Sequence, residues 1–241
     1  MPSEPEIDDS PHSPDAPDSP EPRRAWPFGV LQTVALILVC VVAAGAVGWQ
    51  LGGRDDAETF NDVDGGFLED MIVHHNAAVT MGLEYLPRGD DTLVGHFARE
   101  IVTAQSAEMA VMNLLIDDAG NPTVATNGVA MEWMGDPMDP ADMPGMASAA
   151  DFAELQSATG LAADDVFTRL MILHHAEGIA MAKRATADGE NPRVRRLART
   201  MATVQRTEID EMNRRRLALG LDPSVAAGAP ADDDDHASRH G

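Results

Sequence analysis

The stretches FLEDMIVHHNAAVTMG, residues 67–82, and FTRLMILHHAEGIAMA, residues 167–182, stand one hundred positions apart and decide the fold. Phe67, Met71, Ile72, His74, His75 and Met81 recur at that offset. A second pair, AREIVTAQSAEMAVM (98–112) and ARTMATVQRTEIDEM (198–212), repeats Ala98, Arg99, Thr103, Gln105, Glu108 and Met112 at the same offset. Self-similarity at one fixed offset marks a duplicated unit, and each copy has two segments.

Both segments carry a helical period. In the first, Phe67, Leu68, Met71, Ile72, His75, Val79 and Gly82 fall on one face at spacings of three and four, with Glu69, Val73, Asn76 and Thr80 opposite. In the second, Val94, Ala98, Ile101, Gln105, Met109 and Met112 define the apolar arc, and Glu108 lies within it. Pro87 and Pro192 fall between the paired segments, where a helix must stop and turn. Each copy therefore reads as a helical hairpin. Asp64 and Asp164 precede the first helix of each copy as expected N-caps, and Gly120 and Gly220 follow the second helices. Two hairpins with one apolar stripe each bury those stripes best against one another. The expectation is an all-α four-helix bundle with approximate internal two-fold symmetry.

The expected boundaries are a first repeat over 60–120, a Met-rich crossover over 121–159 and a second repeat over 160–220. The crossover is too rich in Pro, Gly and Asp to be regular, apart from SAADFAELQSATG, which resembles a short capped helix ending at Gly160. Its methionines, Met131, Met134, Met138, Met143 and Met146, admit two readings: an exposed trap for Cu(I) or Ag(I), or apolar plugs over the bundle end.

Residues 1–24 and 223–241 are acidic tails, the first also Pro-rich, with little apolar surface to offset the entropy of ordering, and read as disordered. From Ala25 to Gly53 there is no charged residue, and 26–51 is long enough to cross a hydrocarbon layer of about 30 Å as a helix. Arg23 and Arg24 precede it, and Trp26 and Trp49 stand near its ends, which predicts a single-pass cell-membrane anchor with a cytoplasmic N-terminus and an extracytoplasmic folded part. The alternative is a secreted protein, cleaved near Ala46. Cys40, the only cysteine, lies inside this segment, which excludes a disulfide framework and a thiolate metal site. The formal charge of −23 excludes nucleic acid as a partner, since its phosphates would be repelled.

Helical-wheel placement at 100° per residue centres the apolar arc near His75 and leaves His74 at its border beside Met81. Polar groups thus point into the core: His74, His75, Gln105 and Glu108, with His174, His175, Gln205 and Glu208. Buried imidazole and carboxylate must find partners. One reading is a hydrogen-bonded polar layer that fixes helix register, in a structural or interaction module of the cell envelope. The other is a metal site, because converging imidazoles and carboxylates are how helical bundles hold metals. Met71, Met81, Met112, Met171, Met181 and Met212 lie near the histidines, and thioether with imidazole suits copper, with zinc as the alternative. The Glu and His three residues apart of di-iron bundles is absent, since Met71 and Met171 occupy the place of the Glu. No nucleophile constellation or phosphate loop occurs, so no enzymatic activity is expected.

Across residues 60–220 these motifs, with MPGM between the hairpins, resemble the bacterial family grouped as domain of unknown function 305, described as ferritin-like helical proteins. The resemblance implies a secreted or membrane-anchored protein that binds copper or silver in the cell envelope. It carries over to His74, His75, Met81, Gln105, Glu108 and Met112, and to His174, His175, Met181, Gln205, Glu208 and Met212. The chain departs from the commoner pattern in having Val73 and Leu173, not proline, before the histidine pairs. A metal ion is thus the expected partner, with an envelope protein or a second copy of the chain as further candidates.

Overall fold

The computed structural model describes residues 60–119 and 128–224. The N-terminal tail, residues 225–241, the 26–51 segment with Cys40 and Ala46, Gly120 and the first part of the crossover lie outside the described residues, whereas Ser224, placed in the C-terminal tail, is held by two hydrogen bonds to the Asn213 side chain. Among those described, the fold is all-helical: α1 (Asp62–Tyr85), α2 (Thr92–Asp118), a short α3 (Ala149–Ser157), α4 (Leu161–Asp188) and α5 (Pro192–Ala218). None of these helices is long and apolar enough to cross a membrane.

The local chemistry of the ends sets these boundaries. Asn61 caps α1, accepting from the Asp64 amide at 2.9 Å, while Asp64 accepts in return from the Asn61 amide at 3.1 Å. Asp91 caps α2 and Asn191 caps α5, each side chain accepting from the amides two and three residues on. Pro192 sits at the first position of α5, where its missing N–H is no loss. Gly220 has φ +77°, and its N–H and that of Leu221 close on the carbonyls of Leu217 and Arg216, which ends α5 in a Schellman turn. Ser148 and Asp151 form the capping box of α3.

Two of the expected caps have a different role. Asp64 is the third residue of α1, and Asp164 the fourth of α4, behind Gly160. Both carboxylates are buried and reach across to the turn of the opposite hairpin. Asp64 Oδ2 accepts from the amides of Glu190 and Asn191 at 3.0 and 2.9 Å. Asp164 accepts from Tyr85 Oη at 2.6 Å and from the Asp91 amide at 3.2 Å. The repeat places Asp91 and Asn191 at equivalent positions, so each hairpin pins the other's second helix at its start.

α1 packs on α2 and α4 on α5, and the hairpins meet through α1 and α4. They run oppositely, so the turn end of one lies beside the open end of the other. One apolar cluster joins Met81, Tyr85, Phe97 and Ile101 to Phe167, Met171 and Met212. The other joins Phe67, Met71 and Met112 to Met181, Val194 and Met201, together with Met131 and Met143 of the crossover. The crossover folds onto this second cluster, held by Asp70 Oδ2, which accepts from the Met131 amide and Trp133 Nε1, each at 2.7 Å. Met131 and Met143 are buried, and Met134, Met138 and Met146 are partly buried against the same cluster. Of the two readings, these methionines take the role of apolar plugs.

The candidate metal centre

Between the two apolar clusters lies a polar layer. His74, His75, His174 and His175 are all 0 % exposed. Their order across the core is His75, His74, His174, His175, with ring-centroid separations of 6.5, 3.6 and 5.9 Å. His74 and His174 stack face to face, 28° from parallel, where the hairpins meet. This reverses the expectation from the helical wheel, which put His75 at the centre and His74 at the border. α1 buries itself against two helices, α2 and α4, so its buried arc turns toward His74, Ala78, Met81 and Tyr85, and leaves Ile72 and Val79 only partly covered.

The outer histidines face their own hairpin's second helix. His75 Nε2–H donates to Glu108 Oε2 at 2.8 Å, and His175 Nε2–H donates to Glu208 Oε2 at 2.8 Å. A carboxylate with no proton to give fixes the ring N–H at Nε2, and in the neutral ring Nδ1 then carries the lone pair. Glu108 is 8 % exposed and Glu208 20 %, so the second pair lies nearer water. Beside it Glu100 is pushed up to about 7 by burial and then by the charges of Glu208 and Glu211.

At the centre, His174 Nε2–H donates to the backbone carbonyl of His74 at 2.9 Å. Burial, followed by the neighbouring imidazoles, holds both His74 and His174 well below the ordinary imidazole range. Both rings are therefore neutral, the form in which imidazole binds a metal. Five imidazole nitrogens in this layer are buried with no hydrogen-bond partner: both of His74, and Nδ1 of His75, His174 and His175. In neutral rings four of these five carry a lone pair and one nitrogen of His74 carries a hydrogen, and unsatisfied lone pairs at this density fit a bound cation. The chemistry of the donors fits copper or zinc. As the side chains stand, no three His, Cys, Asp or Glu groups among the described residues converge to hold an ion. The fit is one of residue type and unsatisfied valence, and ligation requires the rings to turn.

The thioethers named from the sequence are all buried but divided. Met112 and Met181 belong to the cluster under the crossover, and Met81 and Met212 to the opposite one. Gln105 and Gln205 are buried at the layer's flanks. Sequence reading missed three contributors. Gly178 admits His74 and Gln205 to the surface of α4, and Gly145, with φ +81°, lets the MPGM turn settle against the α4 backbone at His174. Tyr85 stacks on Phe167 at 4.4 Å, closing the cluster on the far side. Gly178 left a signal as the place where the repeat changes from Ala78 to glycine, and Gly145 is the glycine of the MPGM motif.

Residues 64–216 match the family described as Domain of unknown function (DUF305). Among solved structures, a candidate secreted DUF305 protein from Streptomyces coelicolor is 32 % identical, with TM-score 0.61, covering 68 % of this chain and 97 % of that one. A DUF305 fragment from Deinococcus radiodurans is 31 % identical, with TM-score 0.55, covering 67 % of this chain and 97 % of that one. CopM in its Cu(II)-bound form is 24 % identical, with TM-score 0.51, covering 65 % of this chain and 97 % of that one, a likeness of fold. No curated protein sequence matches the chain. The polar layer, the doubled hairpin and the extent of these matches lead to one conclusion: the chain belongs to the DUF305 family.

Proposed function

We propose that this chain is an extracytoplasmic metal-binding protein that sequesters or hands over copper without catalysis. In this reading the folded part is a ferritin-like four-helix bundle, tethered to the cell membrane by residues 26–51 or released by cleavage near Ala46. The observation that carries it is the set of five unpartnered imidazole nitrogens in a fully buried layer. His74, His75, His174 and His175 are the ligands, and Glu108 and Glu208 act one step out, orienting His75 and His175 as carboxylates do in metal sites. The buried thioethers of Met81, Met112, Met181 and Met212 supply soft donors on either side, which favours copper over zinc. A fold shared with the Cu(II)-bound form of CopM is consistent with this reading.

The second reading, a structural polar layer in an envelope module, is favoured by the His74–His174 stack and by the want of three converging ligands among the described residues. One experiment separates the two. The full chain in detergent is titrated with Cu(I), Cu(II) and Zn(II) while its melting temperature is followed. An ion that binds the native state must stabilise it, by about 2.7 kcal/mol at a hundred times its Kd. The metal reading requires that rise for copper and its loss when all four histidines become glutamine. No rise with any of the three ions leaves the structural layer standing.

A further inference from the structure

Duplication gives residues of the two hairpins counterparts a hundred positions away, and the imidazole layer breaks that equivalence around His74. The residue that is Ala78 in the first hairpin is Gly178 in the second. A Cβ on Gly178 would stand 2.6 Å from Gln205 Oε1 and 3.0 Å from His74 Cε1. The missing methyl is therefore what lets the imidazole of one hairpin and the amide of the other meet on α4.

The unsatisfied atoms gather at the same spot. Gln205 is 3 % exposed, and both its Oε1 and its Nε2 are buried without a partner, as are both ring nitrogens of His74. The counterparts are better served. His174 Nε2 has the His74 carbonyl, and on Gln105 only Oε1 is both buried and unpartnered. Buried polar groups are normally satisfied, so four orphaned atoms around one glycine point to a bound species. Two of the four, one nitrogen of the neutral His74 ring and Gln205 Nε2, carry hydrogens, while the other ring nitrogen and Gln205 Oε1 offer lone pairs, and those two are the electron-pair donors that suit a cation.

We propose that His74 and Gln205, which meet over Gly178, bind one divalent first-row cation, with a ring nitrogen of His74 and Oε1 of Gln205 as ligands, so that the duplicated fold holds one asymmetric primary site. This rests on the metal-binding reading above and adds Gln205 and Gly178 to it. His174 Nδ1, unpartnered on the ring stacked 3.6 Å from His74, is the next donor in reach.

The test uses the full chain in detergent, titrated with Cu(II) and separately with Zn(II) by calorimetry, with stoichiometry from native mass spectrometry. The expected result is one ion per chain in the tight step. Gly178→Ala and Gln205→Leu each weaken that step at least tenfold, and the loss from Gln205→Leu exceeds that from Gln105→Leu at least fivefold. Gln205→Leu also raises the melting temperature of the metal-free chain, because it removes two orphaned polar atoms, whereas loss of a purely structural glutamine lowers it. If Gly178→Ala does not fold, the two glutamine variants carry the comparison. Two ions of equal affinity, or equal losses from Gln105→Leu and Gln205→Leu, overturn the asymmetric site while leaving metal binding intact. No binding by the wild-type chain overturns both.

Discussion

Replacing Glu108 by leucine tests the polar layer directly, because the chain contains its own control at Glu208. Glu108 Oε2 accepts from His75 Nε2–H at 2.8 Å, with the imidazole fully buried and the carboxylate side chain 8 % exposed. Leucine removes the acceptor and leaves a buried N–H with nothing to receive it, which costs about 1–3 kcal/mol. Taking about 2 kcal/mol, and about 2–4 °C per kcal/mol for a chain of this size, the metal-free protein melts roughly 4–8 °C lower. Glu208 is 20 % exposed, so water reaches the His175 N–H when its acceptor goes, and Glu208→Leu costs about half as much, roughly 1 kcal/mol. His75→Leu combined with Glu108→Leu removes donor and acceptor together and recovers most of the loss, since replacing both partners by apolar groups is close to neutral. The assay is thermal and urea unfolding followed by circular dichroism with a chelator present. Stability within about 0.5 kcal/mol of wild type for Glu108→Leu, or a larger loss for Glu208→Leu, refutes the argument. The milder Glu108→Gln keeps an acceptor but not the charge, and on the proposed metal-binding reading it lowers metal affinity about 10–100-fold in competition titrations.

Three further outcomes follow from the same geometry. Asp64→Ala leaves the amides of Asn61, Glu190 and Asn191 without their acceptor, and lowers stability to urea by about 3 kcal/mol; a loss below about 1 kcal/mol shows that the cross-hairpin tie is not needed. Glu100 holds its proton to about pH 7 in the folded chain against an ordinary value of 4.5, so its contribution to stability falls as pH rises from 4.5 through 7. Glu100→Gln therefore raises the melting temperature at pH 8 and leaves it unchanged at pH 5, and equal effects at both refute the combined action of burial and the neighbouring carboxylates. His74 and His174 are held well below their ordinary 6.5, so the stability they contribute is present above pH 6.5 and is lost as pH falls through the folded values, where the unfolded chain already carries the protons. Replacing both by leucine flattens the acid limb of the stability profile, measured by urea midpoints between pH 4 and 8.

The hairpins, their turns and the inward histidines were legible before any coordinate because they depend on periodicity within one helix. His74, His75, Gln105 and Glu108 were found by asking which polar residues share an arc with Phe67, Met71, Ile101 and Met112, and all four are buried. The order of the two histidines was not legible. A single-helix wheel knows one apolar direction, whereas α1 faces α2 on one side and α4 on the other, and the second contact brings His74 to the centre. Asp64 and Asp164 illustrate the same limit. Each stands where a cap is expected, and capping is a local rule, but their partners Asn191 and Asp91 are far along the chain.

The sequence by itself thus determined that the chain is duplicated, that each copy is a helical hairpin, and that polar groups lie in its core. These properties rest on 3.6-residue periodicity, on proline and glycine at the turns, and on an offset of one hundred. Tertiary structure alone decided which equivalent residues stay equivalent. Most contacts stay reciprocal between the copies, as the ties of Asp64 and Asp164 do, but His74 and His174, stacked where the hairpins meet, do not keep the same partners. One of them donates to the other's backbone, and the other is left with both nitrogens unsatisfied beside Gly178 and Gln205.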